Sequence, residues 1–439
     1  MSPFLASFFL FVGIGLIILL TVKIRVHAFF SLIIACFVVG LGLELSFGQV
    51  MGAVRDGFGN ILKSLGLIIV FGTFLGVLLE ETGSTRVMAS VILRITGEKR
   101  PALAMGITGF VVGLPVFCDS GYIVLNGLAR SMAKKTGKSP AVISVSLAMG
   151  LYVVHCLVPP HPGIIAATGT IGADLGKQMI AGIAVAAPVF FIGYTWALYS
   201  GKKFKNLVAE ESLFNSTKPV HAWNAFLPTL VPVFLIGLRS VLMIYLPKEN
   251  GIRQVSEICG EPALALAIGI AWCLVANRSW KRGKISSWMS ESVEKAGSIL
   301  VIIGAGGSFG AILSAAKIGD LFSHANSLQH LGMLFPFLLT ALLKTALGSS
   351  TVAIITASSI LQPLLPAIGL DSDGGRMICV LAMGSGSMMV SHANDAYFWV
   401  VSKFTPLDMR PMLAVYSMAT FLMGTGALVL TYFLSLFVL

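Results

Sequence analysis

Four short stretches combine polar side chains with residues that stop helices, inside otherwise apolar sequence. They are GLPVFCDSGY (Gly113–Tyr122), HCLVPPHPG (His155–Gly163), ALGSSTVAIIT (Ala346–Thr356) and GSGSMMVSHANDAYFW (Gly384–Trp399). Pro159, Pro160 and Pro162 remove three backbone donors within four residues, so no continuous helix passes through the second stretch. A helix broken at membrane depth must line a protein cavity, because hydrocarbon satisfies no free backbone group. Its half-helix N-termini then offer N–H groups and a positive dipole end, which is chemistry suited to a carboxylate. Ser120, His161, Gly163, Gly348, Ser349, Ser350 and Thr351 are expected contacts to such a ligand, with His392, Asn394 and Asp395 reading its hydroxyls. Asp119 is the expected proton-coupling residue, since a carboxylate in an apolar segment is a functional candidate by default. His161 and His392 are the alternative proton carriers, because histidine titrates near neutrality without help. Lys344 either snorkels to an interface or attracts the anion, and the second role is expected. Each histidine read alone is equally well a packing residue, and Asp119 also suits the cap of a short helix.

The elements that position these residues follow from composition. Of 439 residues, 56% are hydrophobic and 11% charged, with mean hydropathy +0.90. Soluble domains carry about 25% charge. Apolar runs near 20 residues recur along the whole length, so the chain is expected to be an all-α polytopic membrane protein. The expected spans are 4–22, 27–43, 61–79, 140–156, 179–199, 223–246, 262–276, 297–315, 377–390 and 411–437. Residues 101–130 and 331–370 are expected as re-entrant hairpins, because small and polar residues interrupt them centrally. The N-terminal run is too long for a signal peptide and lacks a basic leader, and is expected as a retained first span.

Twenty-one of the 30 Lys and Arg fall on one side of this layout and seven on the other. The rich side is expected to be cytoplasmic, which puts both termini outside. The first hairpin then enters from the cytoplasm and the second from outside. Each half reads as three spans, a hairpin and two spans in opposite orientation: residues 1–200, a cytoplasmic linker at 201–222, and 223–439. Leu147-Ala148-Met149-Gly150 recurs as Leu381-Ala382-Met383-Gly384, and Asp174 pairs with Asp408 at the same offset. An inverted-topology repeat with broken helices is the architecture of secondary transporters.

Several chemistries find no support. HExxH, P-loop and GxGxxG patterns are absent, and the six cysteines form no CxxC, so neither metal nor cofactor is expected. Gly304-Ala305-Gly306-Gly307 lies in an apolar run, where close helix packing explains glycine better than phosphate binding. The net charge of +11 is expected to reflect basic loops beside anionic lipid, not nucleic acid. An intramembrane hydrolase needs a nucleophile–base pair or a metal set, no metal-ligand spacing is present, and the inverted symmetry is unexplained by such an enzyme.

At the four stretches the chain resembles the gluconate permease family of bacterial sugar-acid:proton symporters. The resemblance rests on Gly113–Phe117, Leu157–Gly163, Gly348–Ala353 and Ser391–Asp395, and extends weakly over the whole length. It implies a multi-pass inner-membrane protein, an importer of gluconate or a related small hydroxy monocarboxylate, and a homodimer moving by an elevator-like step. The chain departs from the family where Cys118-Asp119-Ser120 replaces a glutamate that follows two aromatic residues, where Cys156 replaces a glycine, and where Lys344 stands for arginine. These departures leave the class intact and open the substrate to other small hydroxy acids. Sodium coupling is the nearer alternative to protons.

Overall fold

The computed structural model describes residues 3–96, 99–204, 221–247, 249–276, 282–317, 331–392, 395–405 and 407–439. Every regular element among them is helical. The first half contains α1 (Pro3–Ile18, continued by a π turn at Leu19–Lys23), α2 (Ala28–Gly42), α3 (Phe47–Glu81), α4 (Ser84–Thr96), α5 (Pro101–Gly113), α6 (Cys118–Thr136), α7 (Pro140–Leu157), α8 (Pro162–Ile171) and α9 (Leu175–Gly201). The second contains α10 (Ala222–Tyr245), α11 (Gly251–Cys259), α12 (Pro262–Ala276), α13 (Arg282–Ala315), α14 (Leu334–Leu347), α15 (Ser350–Leu361), α16 (Asp373–Ser387), α17 (Ala396–Phe404) and α18 (Met409–Val438, with a π turn at Leu413–Ser417). Six helices among the described residues are long and apolar enough to cross a membrane, or seven if α11 and α12, bent by 69°, count as one.

One order occurs twice among the described residues: four helices, a two-armed hairpin, a broken helix and a long closing helix. The packing repeats with it. α2 lies on α13 while α12 lies on α3, and α5 pairs with α7 as α14 pairs with α16. The second arm of each hairpin reaches across to the other half: α6 touches α17, and α15 touches α8. The two longest helices, α3 and α13, cross where Gly57 and Gly307 meet. A Cβ on Gly307 would stand 2.6 Å from the Gly57 carbonyl oxygen, and Gly57 is blocked in turn by the Gly307 carbonyl. The Gly304–Gly307 run is therefore packing, as expected. Gly109 does the same for α5 and α7, where a Cβ would lie 2.5 Å from Leu147 O. Small residues let helix backbones touch where lipid supplies no hydrophobic drive for association.

The structure departs from the expected spans at both long helices. α3 has 35 residues and starts at Phe47, not near residue 61. Ser46 fixes that start with a capping box: its Oγ accepts from Gln49 N at 3.3 Å, and its own N–H donates to Gln49 Oε1 at 2.8 Å. Arg55, Asp56 and Lys63 lower the hydropathy of this first half without breaking the helix. At 1.5 Å per residue α3 is about 52 Å long, well beyond a hydrocarbon core of about 30 Å. α13 is extended in the same way, starting at Arg282. The expected spans 140–156 and 377–390 are the first arms of the broken helices. α4 and α11 are amphipathic helices not foreseen from hydropathy. α4 buries Ser84, Thr85, Met88, Ala89 and Ile92 along one side. The expected linker at 201–222 lies mostly outside the described residues.

Candidate functional site

Each break ends one helix and starts another, and the restarts converge. Pro115 closes the first hairpin's turn, and α6 restarts at Cys118 with no side chain capping it. Val158–His161 separates α7 from α8, whose first residue is Pro162 and whose N-cap, His161, makes no capping bond. Gly348 ends α14 in the left-handed region (φ 74°), which L-residues avoid. Ser349 then caps α15, its Oγ accepting from Val352 N at 3.3 Å. Asp395 caps α17, its Oδ1 accepting from Tyr397 N at 2.9 Å. Residues from the first turns of all four helices line one cavity of about 270 Å3: Phe117–Asp119, Pro162, Ser349–Val352 and Asp395–Tyr397. Ile299, Ile302 and Ile355 close its apolar side. Its size sits at the lower edge of the range for small-molecule sites, about 300–1,000 Å3. Four positive dipole ends around one cavity favour an anion. A second crevice, between the turns at Leu114–Pro115 and Pro159–Pro160 and helices α3, α10 and α12, is almost wholly apolar and has room for about one water, at 20 Å3.

Hydrogen bonds between the halves hold the cavity's shape. Tyr152 OH, on α7, meets Ser350 Oγ at 2.9 Å and donates to Ser387 O at 3.2 Å. Ser350 Oγ also lies 2.9 Å from Ser387 O. Tyr397 stacks on Tyr152 with centroids 5.5 Å apart and donates to Ala148 O at 3.1 Å. His155 Nε2 lies 3.3 Å from Thr351 Oγ1, and the His155 and His161 rings meet edge to face at 4.9 Å.

The charges are unevenly satisfied. Lys344 Nζ donates to Asp395 Oδ2 at 2.5 Å and to Gly348 O at 3.1 Å, with the two side chains 1% and 6% exposed. Ser391 Oγ also donates to Asp395 Oδ2 and touches Tyr416 OH at 3.2 Å. The pair cancels its own charge and ties α14 to the start of α17. Asp119 stands on the cavity wall with only the Cys118 thiol as a hydrogen-bond neighbour among the described residues, at 3.9 Å.

The structure brings together Asp119, Gly348, Ser349, Ser350, Thr351 and Asp395 on the cavity wall. It places the other expected site residues differently. Ser120 is off the wall. His161 is buried, its Nε2 2.6 Å from Gly113 O, so it braces the first hairpin. Gly163 is a packing contact, since a Cβ there would lie 3.1 Å from Thr351 Cα. Lys344, expected to attract the anion, spends its charge on Asp395. His392 sits in the second break, where its carbonyl accepts from Asp395 N at 2.8 Å, and its ring is off the wall. Asn394 lies outside the described residues. Sequence reasoning passed over Tyr152 and Tyr397 as wall residues and left His155 open. Tyrosines inside apolar helices carry no positional signal. His155 had one: it is four residues upstream of the first proline of the break.

The family model for GntP family permeases matches residues 6–437. A gluconate permease of Pseudomonas aeruginosa is 34% identical over 434 residues, covering 96% of each chain. The Gnt-II system L-idonate transporter of Escherichia coli is 30% identical over 420 residues, covering 92% of this chain and 93% of that one. The D-serine transporter DsdX of Escherichia coli is also 30% identical, over 436 residues and 97% of each chain. Among solved structures, the YdaH transporter of Alcanivorax borkumensis, described as having an unusual topology, superposes with a TM-score of 0.65 over 87% of each chain at 17% identity, which shows a shared fold. With the family model spanning nearly the whole length and relatives matched end to end, the chain belongs to the GntP family of permeases, a multi-helix membrane transporter and not an enzyme.

Proposed function

We propose that this chain is a secondary active transporter that carries gluconate or a related small hydroxy monocarboxylate across the cytoplasmic membrane, in symport with protons. The observation that supports it most is the convergence of four helix N-termini on one cavity whose polar side chains are hydroxyls, an imidazole and two carboxyls, one of them paired with Lys344. The N–H groups of Ser350 and Thr351, in the first turn of α15, take the substrate carboxylate. The hydroxyls of Ser349 and Thr351 take part of the polyol, and Asn394 is proposed to join them. Because Lys344 neutralises Asp395, Asp119 is the acidic group left to oppose an anion. A protonated Asp119 removes that repulsion, so proton and substrate favour each other's binding, which is the coupling a symporter requires. An inverted-topology repeat, with termini outside and a homodimeric assembly, belongs to the same reading. The twofold order of elements and the 21-to-7 division of basic residues support it.

A rival substrate class is a small amino acid. The same carboxyl at Asp119 suits an α-ammonium, and DsdX is as similar as the L-idonate transporter. Uptake of radiolabelled gluconate into proteoliposomes separates these readings. Under an inward proton gradient, gluconate is expected to accumulate, and unlabelled D-serine is expected not to compete. Accumulation only under a sodium gradient refutes the coupling ion. Accumulation of D-serine but not of any sugar acid refutes the substrate class.

A further inference from the structure

His155 holds hydrogen-bonding capacity that the protein does not use. Its ring forms part of the cavity wall, at the last turn of α7. Nε2 has one long contact, 3.3 Å to Thr351 Oγ1. Nδ1 is buried and has no partner among the described residues. A neutral imidazole carries one N–H, on one nitrogen or the other. Orphaned buried N–H groups are rarer in proteins than under-satisfied acceptors, because desolvating a donor with nothing to receive it is costly. The proton therefore belongs on Nε2, which donates toward Thr351 Oγ1 and the cavity. Nδ1 keeps its lone pair among the packed side chains.

Position then fixes what Nε2–H meets. Thr351 is in the first turn of α15, beside the free N–H groups assigned to the substrate carboxylate. The substituent on the carbon next to that carboxylate lies nearest to His155. A hydroxyl there has lone pairs and accepts from Nε2–H. An ammonium there has none, and turns its own N–H groups toward the donor.

We propose that His155 Nε2–H is a specificity-determining donor that selects 2-hydroxy acids over their 2-amino counterparts. The inference rests on the carboxylate-site reading above.

The test is calorimetric binding to the purified full chain in detergent, with gluconate and 2-amino-2-deoxygluconate, which differ at one substituent. Wild type is expected to bind gluconate at least about 10-fold more tightly. In His155→Phe, gluconate affinity is expected to fall about 3- to 10-fold, the worth of one neutral hydrogen bond, while the amino analogue changes less than about 2-fold; His155→Gln, whose amide keeps an N–H donor, is expected to retain the preference for gluconate. A merely structural His155, bracing Thr351, would weaken both ligands alike, so equal losses overturn the assignment. Equal binding of the two ligands by wild type also overturns it, with no variant needed. Wild type that binds neither ligand overturns the sugar-acid reading itself, whereas equal binding leaves that reading standing.

Discussion

Replacing Lys344 by methionine removes one charge from a pair that water scarcely reaches, with side chains 1% and 6% exposed. At 2.5 Å the gross attraction is about 7 kcal/mol for an effective dielectric constant of about 20. Most of that offsets the desolvation of both ions, so the informative quantity is the cost of stranding one of them, about 3–5 kcal/mol. Among the described residues, Asp395 would keep only the Ser391 hydroxyl and the Tyr397 N–H. An unfolding entropy of about 2.1 cal/mol/K per residue gives roughly 0.9 kcal/mol/K for a chain of this length, so Tm is expected to drop by about 3–5 °C. Asp395→Asn strands the ammonium and is expected to cost as much. The double variant, which leaves no charge, is expected to recover at least half of either loss, since replacing a buried pair entirely is often nearly neutral. The assay is thermal unfolding in detergent, followed by size-exclusion chromatography of heated samples. Single variants within about 1 °C of wild type, or a double variant as low as the summed losses, would refute a buried ion pair holding α14 to α17.

Asp119→Asn, which mimics the protonated carboxyl, is expected to retain substrate binding and counterflow exchange but lose accumulation driven by a pH gradient; accumulation that persists assigns the proton to another group. Gly163→Ala puts a Cβ 3.1 Å from Thr351 Cα and is expected to shift the start of α15 by a few tenths of an ångström, lowering gluconate affinity several-fold in a binding titration with little change in Tm. A single cysteine at position 203, in a cysteine-free background, is expected to react with an impermeant maleimide only from the cytoplasmic side, and labelling of intact cells there contradicts the inverted layout.

Much of the architecture was legible because the chain marks its interruptions with residues that have one backbone use. Pro115, the Pro159–Pro162 run and Gly348-Ser349 stand beside further small or polar residues and end their helices, whereas the lone Pro188, Pro228 and Pro232 lie inside α9 and α10, so the hairpin turns and the first break could be read from the clusters. The length of α3 and α13 was not legible, because hydropathy registers Arg55, Asp56 and Lys63 as the end of a span while a capping box at Ser46 continues the helix through them. The cavity was legible by region but not by side chain. Ser350 and Thr351 are adjacent to their breaker and follow it to the wall. Lys344 and Asp395 are 51 residues apart, and nothing in either neighbourhood announces the other. His161 and His155 show the same limit at short range: six residues apart at one break, one braces a carbonyl and the other faces the cavity. Which does which is decided by packing against α5 and α15, elements distant in the sequence.

The most direct test of the site is an experimental structure of the full chain with gluconate bound. The expected result is density in the cavity between the two hairpin turns, with the carboxylate at hydrogen-bonding distance, about 2.7–3.2 Å, from the backbone nitrogens of Ser350 and Thr351, and the C2 hydroxyl beside His155. Gluconate bound elsewhere, in the apolar crevice at Pro115 and Pro160 for instance, or held at its carboxylate by Lys344 with the Asp395 pair broken, would contradict it.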